Sequence, residues 1–169
     1  MNKEKFVLAI YVENKYGVLT RVTSMFTRRG YNIDTLAVGE TENPEYSRIT
    51  ISLRGSKTER EQLLNQLKKL YNVRKVEIIA EDKGIRRELL LLKVKNCSET
   101  RSDVKDCIEA FRAKIVDYNS ESLVIEMTGD TPKIEAFVEN MKPFGIIEMC
   151  RTGIVAIERG SDSILTNED

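Results

Sequence analysis

Phe6-Val7-Leu8-Ala9-Ile10-Tyr11-Val12, then Glu13-Asn14-Lys15-Tyr16-Gly17, then Val18-Leu19-Thr20-Arg21-Val22: an apolar run, a polar turn, and the opening of a helical repeat. The run is continuous and bounded by charge, as expected of a central strand. Beyond Gly17, Val18, Leu19, Val22, Met25 and Phe26 recur at helical spacing, with Arg21, Arg28 and Arg29 on the other side. Gly30 stands where such a helix needs a left-handed residue to stop. Ile33 to Val38 reads as a second strand, Thr41-Glu42-Asn43-Pro44 as a turn, and Ile49, Ile51 and Leu53 alternate as a third strand. Thr58 and Glu61 have capping-box spacing ahead of a Leu63, Leu67, Leu70 stripe, and Val73, Val76 and Ile78 complete a fourth strand. The order strand, helix, strand, strand, helix, strand is the ferredoxin-like βαββαβ unit. It occupies residues 4–80.

The order then repeats. Asp82-Lys83-Gly84 is the boundary, and residues 84–159 form a second module. Glu88 to Lys95 holds four consecutive leucines and reads as a strand buried on both faces. Val104, Cys107, Ile108 and Phe111 fall at helical spacing; Ile115 to Tyr118 and Leu123 to Met127 read as strands. Thr131-Pro132 places an N-cap before a first-turn proline, ahead of Ile134, Phe137, Val138 and Met141. Ile146 to Met149 and Ile154 to Ile157 flank a bend at Arg151-Thr152-Gly153. Residues 160–169 form a polar, frayed tail. The fold class is α+β, two tandem ferredoxin-like modules.

The bulk numbers agree with two small modules. The chain has 169 residues, 41% of them hydrophobic and 32% charged. That charge content exceeds the roughly 25% of an average soluble domain and implies much surface per core. Lysine plus arginine balance aspartate plus glutamate at 27 each, so the basic surplus of a nucleic-acid binder is missing. No apolar run reaches the roughly 18 residues of a membrane span, and no signal-peptide pattern precedes the first strand. The expected location is the cytoplasm. Cys97, Cys107 and Cys150 are an odd number without CxxC spacing and read as buried small hydrophobes in a reducing compartment. Histidine is absent, which removes His-based triads and the commonest metal ligand. No catalytic or metal-binding residue is assigned.

Two segments offer binding chemistry. Asn14 to Leu19 joins the first strand to the first helix, where unpaired backbone N–H groups and the positive end of the helix dipole lie. A glycine at position 17 lets a carboxylate approach the backbone, and Asn14 adds an amide donor and a carbonyl acceptor. Asn and Gly are also ordinary turn residues. The second segment, Arg29-Gly30-Tyr31-Asn32-Ile33-Asp34, offers an amide beside an apolar side chain, and equally reads as a helix stop followed by a strand start.

Taken together, these segments resemble an ACT domain, the amino-acid-sensing version of this fold. The string from Glu13 to Val22, then Phe26-Thr27-Arg28-Arg29-Gly30-Tyr31-Asn32-Ile33, with Ser47-Arg48-Ile49-Thr50-Ile51, is similar to the small regulatory subunits of acetolactate synthase. So are Arg87 to Val94, Ala110 to Asp117 and Glu148 to Gly153, so the resemblance covers essentially the whole chain. It implies a non-catalytic subunit that activates a separate catalytic subunit and confers feedback inhibition by valine or a related branched-chain amino acid. Thiamine diphosphate, magnesium and FAD are expected on that catalytic subunit and no cofactor on this chain. The resemblance also implies a homodimer through the ACT domain. Asn14, Gly17, Val18 and Leu19 of one protomer and Asn32 and Ile33 of the other would hold the effector, with Val18, Leu19 and Ile33 as the apolar wall.

A free-standing ACT sensor for another enzyme is the nearest alternative. An RNA-binding version of the fold needs aromatics on the third strand, and Ser47 to Leu53 has none. An acylphosphatase-like enzyme would find its anion cradle at Gly17, but no water-activating residue is marked.

Overall fold

The computed structural model of the protein describes residues 3–165. The chain runs β1 (Glu4–Glu13), α1 (Val18–Arg28), β2 (Ile33–Glu40), β3 (Tyr46–Gly55), α2 (Lys57–Leu67), β4 (Val73–Ile79), β5 (Gly84–Lys95), α3 (Arg101–Phe111), β6 (Lys114–Tyr118), β7 (Ser122–Gly129), α4 (Thr131–Met141), β8 (Ile146–Arg151) and β9 (Val155–Glu158). A single 3-10 turn, Lys142–Phe144, follows α4. The sheets have strand orders β2-β3-β1-β4 and β6-β7-β5-β8, and all the pairings within these orders that are described are antiparallel. Both modules are therefore the ferredoxin-like units expected. The helices of the described residues are too short and polar to cross a membrane.

In the first unit, alternation along β1 decides what is buried. Phe6, Leu8, Ile10 and Val12 join Ile49, Ile51 and Leu53 beneath Phe26 of α1 and Leu63 and Leu67 of α2. Burying side chains of this size contributes about 1.5–3 kcal/mol each. Val7, Ala9 and Tyr11 point the other way and are just as buried, because Ile154, Ala156 and Ile164 cover them. Arg48 secures this back layer: its Nη2 donates to the Ala156 carbonyl at 2.8 Å. Burial holds its guanidinium below the usual arginine range.

This cover changes the expected division of the chain. One compact unit runs through Ile85 and takes in the segment from Ile154 onward; the other is Arg86–Gly153. The strand expected to close the second module thus packs on the first. Gly153 makes the departure possible with φ +78, a conformation costly for a residue with a Cβ. Within the first unit, Arg159 N–H donates to the Lys83 carbonyl at 2.9 Å. The tail is not simply frayed, since Ile164 is buried in this layer. Residues 166–169 lie outside the described residues.

In the second unit, Leu90, Leu92 and Val94 of β5 enter a core with Ile108, Ile125 and Phe137, whereas Leu91 is exposed. The four-leucine run is therefore not buried throughout, because the helices of this unit cover only one face; Cys97 and Cys150 are likewise exposed rather than buried, and Cys107 is half-buried. Glu88 is 1% exposed and accepts from Arg151 Nη2 (2.7 Å), Arg151 Nε (3.0 Å) and the Thr131 hydroxyl. A buried carboxylate needs such partners. They join β5, β8 and the start of α4.

Two helix starts differ by a residue or two from the spacing argument. Ser56 caps α2 in a full capping box with Glu59, in place of Thr58 with Glu61. Asp130 caps α4 by accepting from Lys133 N–H, and Thr131 is the first helical residue. In both cases the earlier oxygen-bearing side chain faces the free N–H groups.

Candidate functional site

The turn before α1 is built on a left-handed glycine. Gly17 has φ +77 and ψ −4 and caps α1 without any side-chain bond. A Cβ added there would meet nothing within 4 Å, so backbone conformation rather than crowding selects glycine. Gly17 accepts from Arg21 N–H (2.9 Å), and Val18 N–H donates back to the Lys15 carbonyl (3.3 Å). Among the described residues, the Leu19 and Thr20 amides have no partner. They point out of the helix start, where an anion gains from both the N–H donors and the dipole.

Asn14 is exposed, and its side-chain amide is already engaged. It donates to Glu40 Oε1 at 3.2 Å and to the Pro44 carbonyl at 3.0 Å, and Asn14 N–H donates to the Glu45 carbonyl at 2.7 Å. The residue fastens the turn to the far end of β2, and since Nδ2 donates both side-chain bonds, Oδ1 keeps its capacity to accept.

Val18 departs from its expected part. Its side chain is buried in the first core, beside Val22, so it cannot wall an open pocket; the first residue of an amphipathic helix turns inward with the stripe it begins. Leu19 is exposed and Ile33 is half-buried against the same core, leaving these two as the apolar surface on offer.

The other candidate segment is placed by the end of α1. Gly30 has φ +70, Gly30 N–H donates to Thr27 O (3.1 Å) and Tyr31 N–H to Phe26 O (3.0 Å). That pair of hydrogen bonds is a Schellman stop, and the Tyr31 ring meets Phe26 edge-on at 6.4 Å. Asn32 is thereby exposed just ahead of β2. It lines a cleft of about 450 Å³ with Lys3, Arg29, Tyr31, Asp34 and Glu59. Gly17 lines a different, shallow depression with Thr20, Arg21 and Ser24. The two halves lie at opposite ends of an 11-residue helix, about 16 Å at 1.5 Å per residue. One chain does not bring them together.

A network the sequence reading missed braces the first half. Glu13, nearly buried at the end of β1, accepts from Asn72 Nδ2 (2.9 Å), from Lys15 Nζ (3.0 Å) and from Arg74. Asn72 in turn accepts from Arg21 Nη1 at 2.6 Å, and the Arg21 guanidinium lies 4.7 Å from the Tyr71 ring centre. Hydrogen bonds from Lys15 and Asn72, then the charges of Lys15 and Arg74, hold the Glu13 carboxyl below the usual range. Asn72 is 59 positions from Glu13, so no local pattern marks the pair.

Comparison with known proteins decides the family. Residues 8–75 match the model of the AHAS small subunit-like ACT domain, and residues 87–160 match that of the small subunit of acetolactate synthase. The acetolactate synthase small subunit of Mycolicibacterium smegmatis is 45% identical over 93% of this chain and 92% of its own length. This chain belongs to the acetolactate synthase small subunit family. The family's small subunit from Bacillus subtilis is 42% identical over 93% of this chain and 92% of its own. The crystal structure of the small subunit from Thermotoga maritima covers 94% of this chain and 99% of its own, with TM-score 0.88 and 37% identity. As in that family, the first module is an ACT domain.

Proposed function

We propose that this chain is the regulatory subunit of an acetolactate synthase, that it raises the activity of a separate catalytic subunit, and that it confers inhibition by valine or a related branched-chain amino acid. On this reading the chain carries no chemistry of its own, and thiamine diphosphate, magnesium and FAD belong to the catalytic subunit. The family supports the assignment, and the cytoplasm is the corresponding location.

The observation that carries the effector site is the bond from Asn14 to Glu40. It sets the Gly17 turn beside the end of β2, while Asn32 and Ile33 stand at its beginning. β2 is an edge strand. Its Leu36 and Val38 lie opposite the core residues Ile51 and Ile49, yet Val38 is 47% exposed. An apolar edge of this kind favours a paired strand. A second copy paired antiparallel along β2 lays its own Asn32 and Ile33 beside the first copy's Glu40, and so beside the Gly17 turn. The Leu19 and Thr20 amides then take the amino acid's carboxylate, the Asn14 and Asn32 side chains its ammonium group, and Leu19 and Ile33 its branched side chain.

Selection between valine and a side chain one methylene larger is then modest, roughly 1–3 kcal/mol. Because two protomers share the effector, its binding is linked to dimer geometry. The experiment is to mix the chain with its catalytic subunit and assay acetolactate formation with and without valine. Stimulation that valine reverses supports the reading. Amino-acid binding without stimulation would mark a free-standing sensor instead.

A further inference from the structure

We infer that β6 is a second self-association edge, pairing antiparallel with β6 of another copy of this chain in the register that sets Lys114 opposite the copy's Asp117. The inference stands on the second unit alone and does not depend on the effector site or on pairing through β2.

β6 closes one side of the sheet β6-β7-β5-β8, the place that β2 holds in the first sheet. All five of its residues are exposed, three of them are apolar, and Val116 and Tyr118 are each 51% exposed. Such an edge presents unpaired N–H and C=O groups alongside apolar side chains, a surface that proteins normally cover or charge.

The pairing with β7 shows how the charges lie. Lys114 is opposite Glu126 and Asp117 opposite Val124, with a register shift between Ile115 and Asp117. Residues 124 and 126 share a face of β7. The extra residue, Val116, therefore puts Lys114 and Asp117 on one face, although three positions separate them. Ile115 and Tyr118 oppose the core residues Ile125 and Leu123 and take the helix-covered face. Neither Lys114 nor Asp117 has an ion-pair partner among the described residues.

An edge carrying one sign of charge would repel its own copy. Here the signs are opposite. A two-fold axis between residues 115 and 116 places Lys114 against the copy's Asp117 and Asp117 against the copy's Lys114, on the same face. These two ion pairs frame a contact between Ile115 and the copy's Val116. An isologous interface requires this self-complementarity. It selects a second copy over the catalytic subunit as occupant.

Covalent trapping tests the register in the full-length chain with Cys97→Ser and Cys150→Ser. Residues 114 and 117 of one strand are about 10 Å apart, too far to bridge within a chain. Lys114→Cys combined with Asp117→Cys should yield a covalent dimer on mild oxidation. Either substitution alone should form no cross-link, and the two single variants mixed should form the covalent dimer. A double variant that forms no cross-link, or single variants that cross-link equally, would overturn the inference.

Charge exchange gives a second measurement, by sedimentation in chains carrying Val38→Lys in β2. Lys114→Asp should weaken self-association about tenfold, as expected for two ion pairs turned repulsive. Lys114→Asp with Asp117→Lys should restore it. Equal association in the single and double variants refutes the pairing. So does the case in which no cross-link forms and all variants lose stimulation of the catalytic subunit, since the edge would then serve that subunit.

Discussion

Asn14 and Glu40 connect the entrance of α1 to the end of β2 through a hydrogen bond of 3.2 Å. One residue precedes a helix start with two unpartnered amides, and the other ends the edge strand of the first sheet. On the proposed function, the bond makes the position of this turn depend on the edge where a second chain would pair. The coupling between effector and assembly that the proposal requires, a free-energy linkage that must be reciprocal, would have its physical carrier in this bond.

Substituting Gly17 with Asp should abolish valine sensitivity while leaving activation intact. The Cβ has open space, so the fold should survive the modest cost of a left-handed Asp. A carboxylate about 4 Å from the effector's own carboxylate costs about 4 kcal/mol at an effective dielectric of 20, roughly a thousandfold in affinity. Titration calorimetry with valine reads the loss, and an unchanged isotherm would displace the carboxylate from this turn.

Asn14→Ala removes the tie to Glu40 and, on the proposed function, a contact to the effector's ammonium group. The exposed bonds to Glu40 and Pro44 should contribute about 1 kcal/mol to holding the turn, so valine affinity should fall at least about fivefold. Thermal melting should move little. Glu40→Gln keeps an acceptor and should weaken binding less than Asn14→Ala does.

Acid should loosen the brace at Glu13. Its carboxyl is held below the ordinary glutamate value of 4.5. The stabilisation is therefore complete at neutral pH, begins to decline near 4.5, and is lost as pH falls through the lower folded-state value. Chemical denaturation from pH 7 to 3 should show a steeper acid limb for the parent chain than for Glu13→Gln. Parallel curves would remove Glu13 from the account.

Asn72→Ala should destabilise the first unit by about 1–3 kcal/mol, the cost of stranding buried hydrogen-bonding partners. Asn72 is buried, donates to Glu13 and accepts from Arg21. A urea midpoint unchanged from the parent would show that the network is dispensable.

Ile164 offers a test of the C-terminal cover. Ile164→Ala should cost about 2 kcal/mol, the low end for a buried isoleucine, because its cluster is small. Amide exchange should quicken at Val7, Ala9 and Tyr11, whose faces it covers. Exchange unaltered there would mean that Ile154 and Ala156 suffice.

Much of this was legible along the chain because it rests on local periodicity. The repeat of Val18, Val22, Met25 and Phe26 is a helix face, and Gly30 is the helix stop that its φ of +70 confirms. The family strings at Gly17 and Asn32 were equally readable. Burial of the two apolar strands was not: β1 and β5 look alike in sequence, yet β1 is covered on both faces and Leu91 of β5 is exposed.

From the order of residues alone came the two βαββαβ units, their family, and the two segments that offer polar chemistry, since backbone preference and hydrophobic spacing act over a few neighbours. The fold in three dimensions settled that Ile154 to Ile164 covers the first sheet, that Glu13 depends on Asn72, and that Val18 turns inward. These outcomes hinge on which distant surfaces meet, and burial and hydrogen-bond satisfaction select among such meetings only once the whole chain has folded.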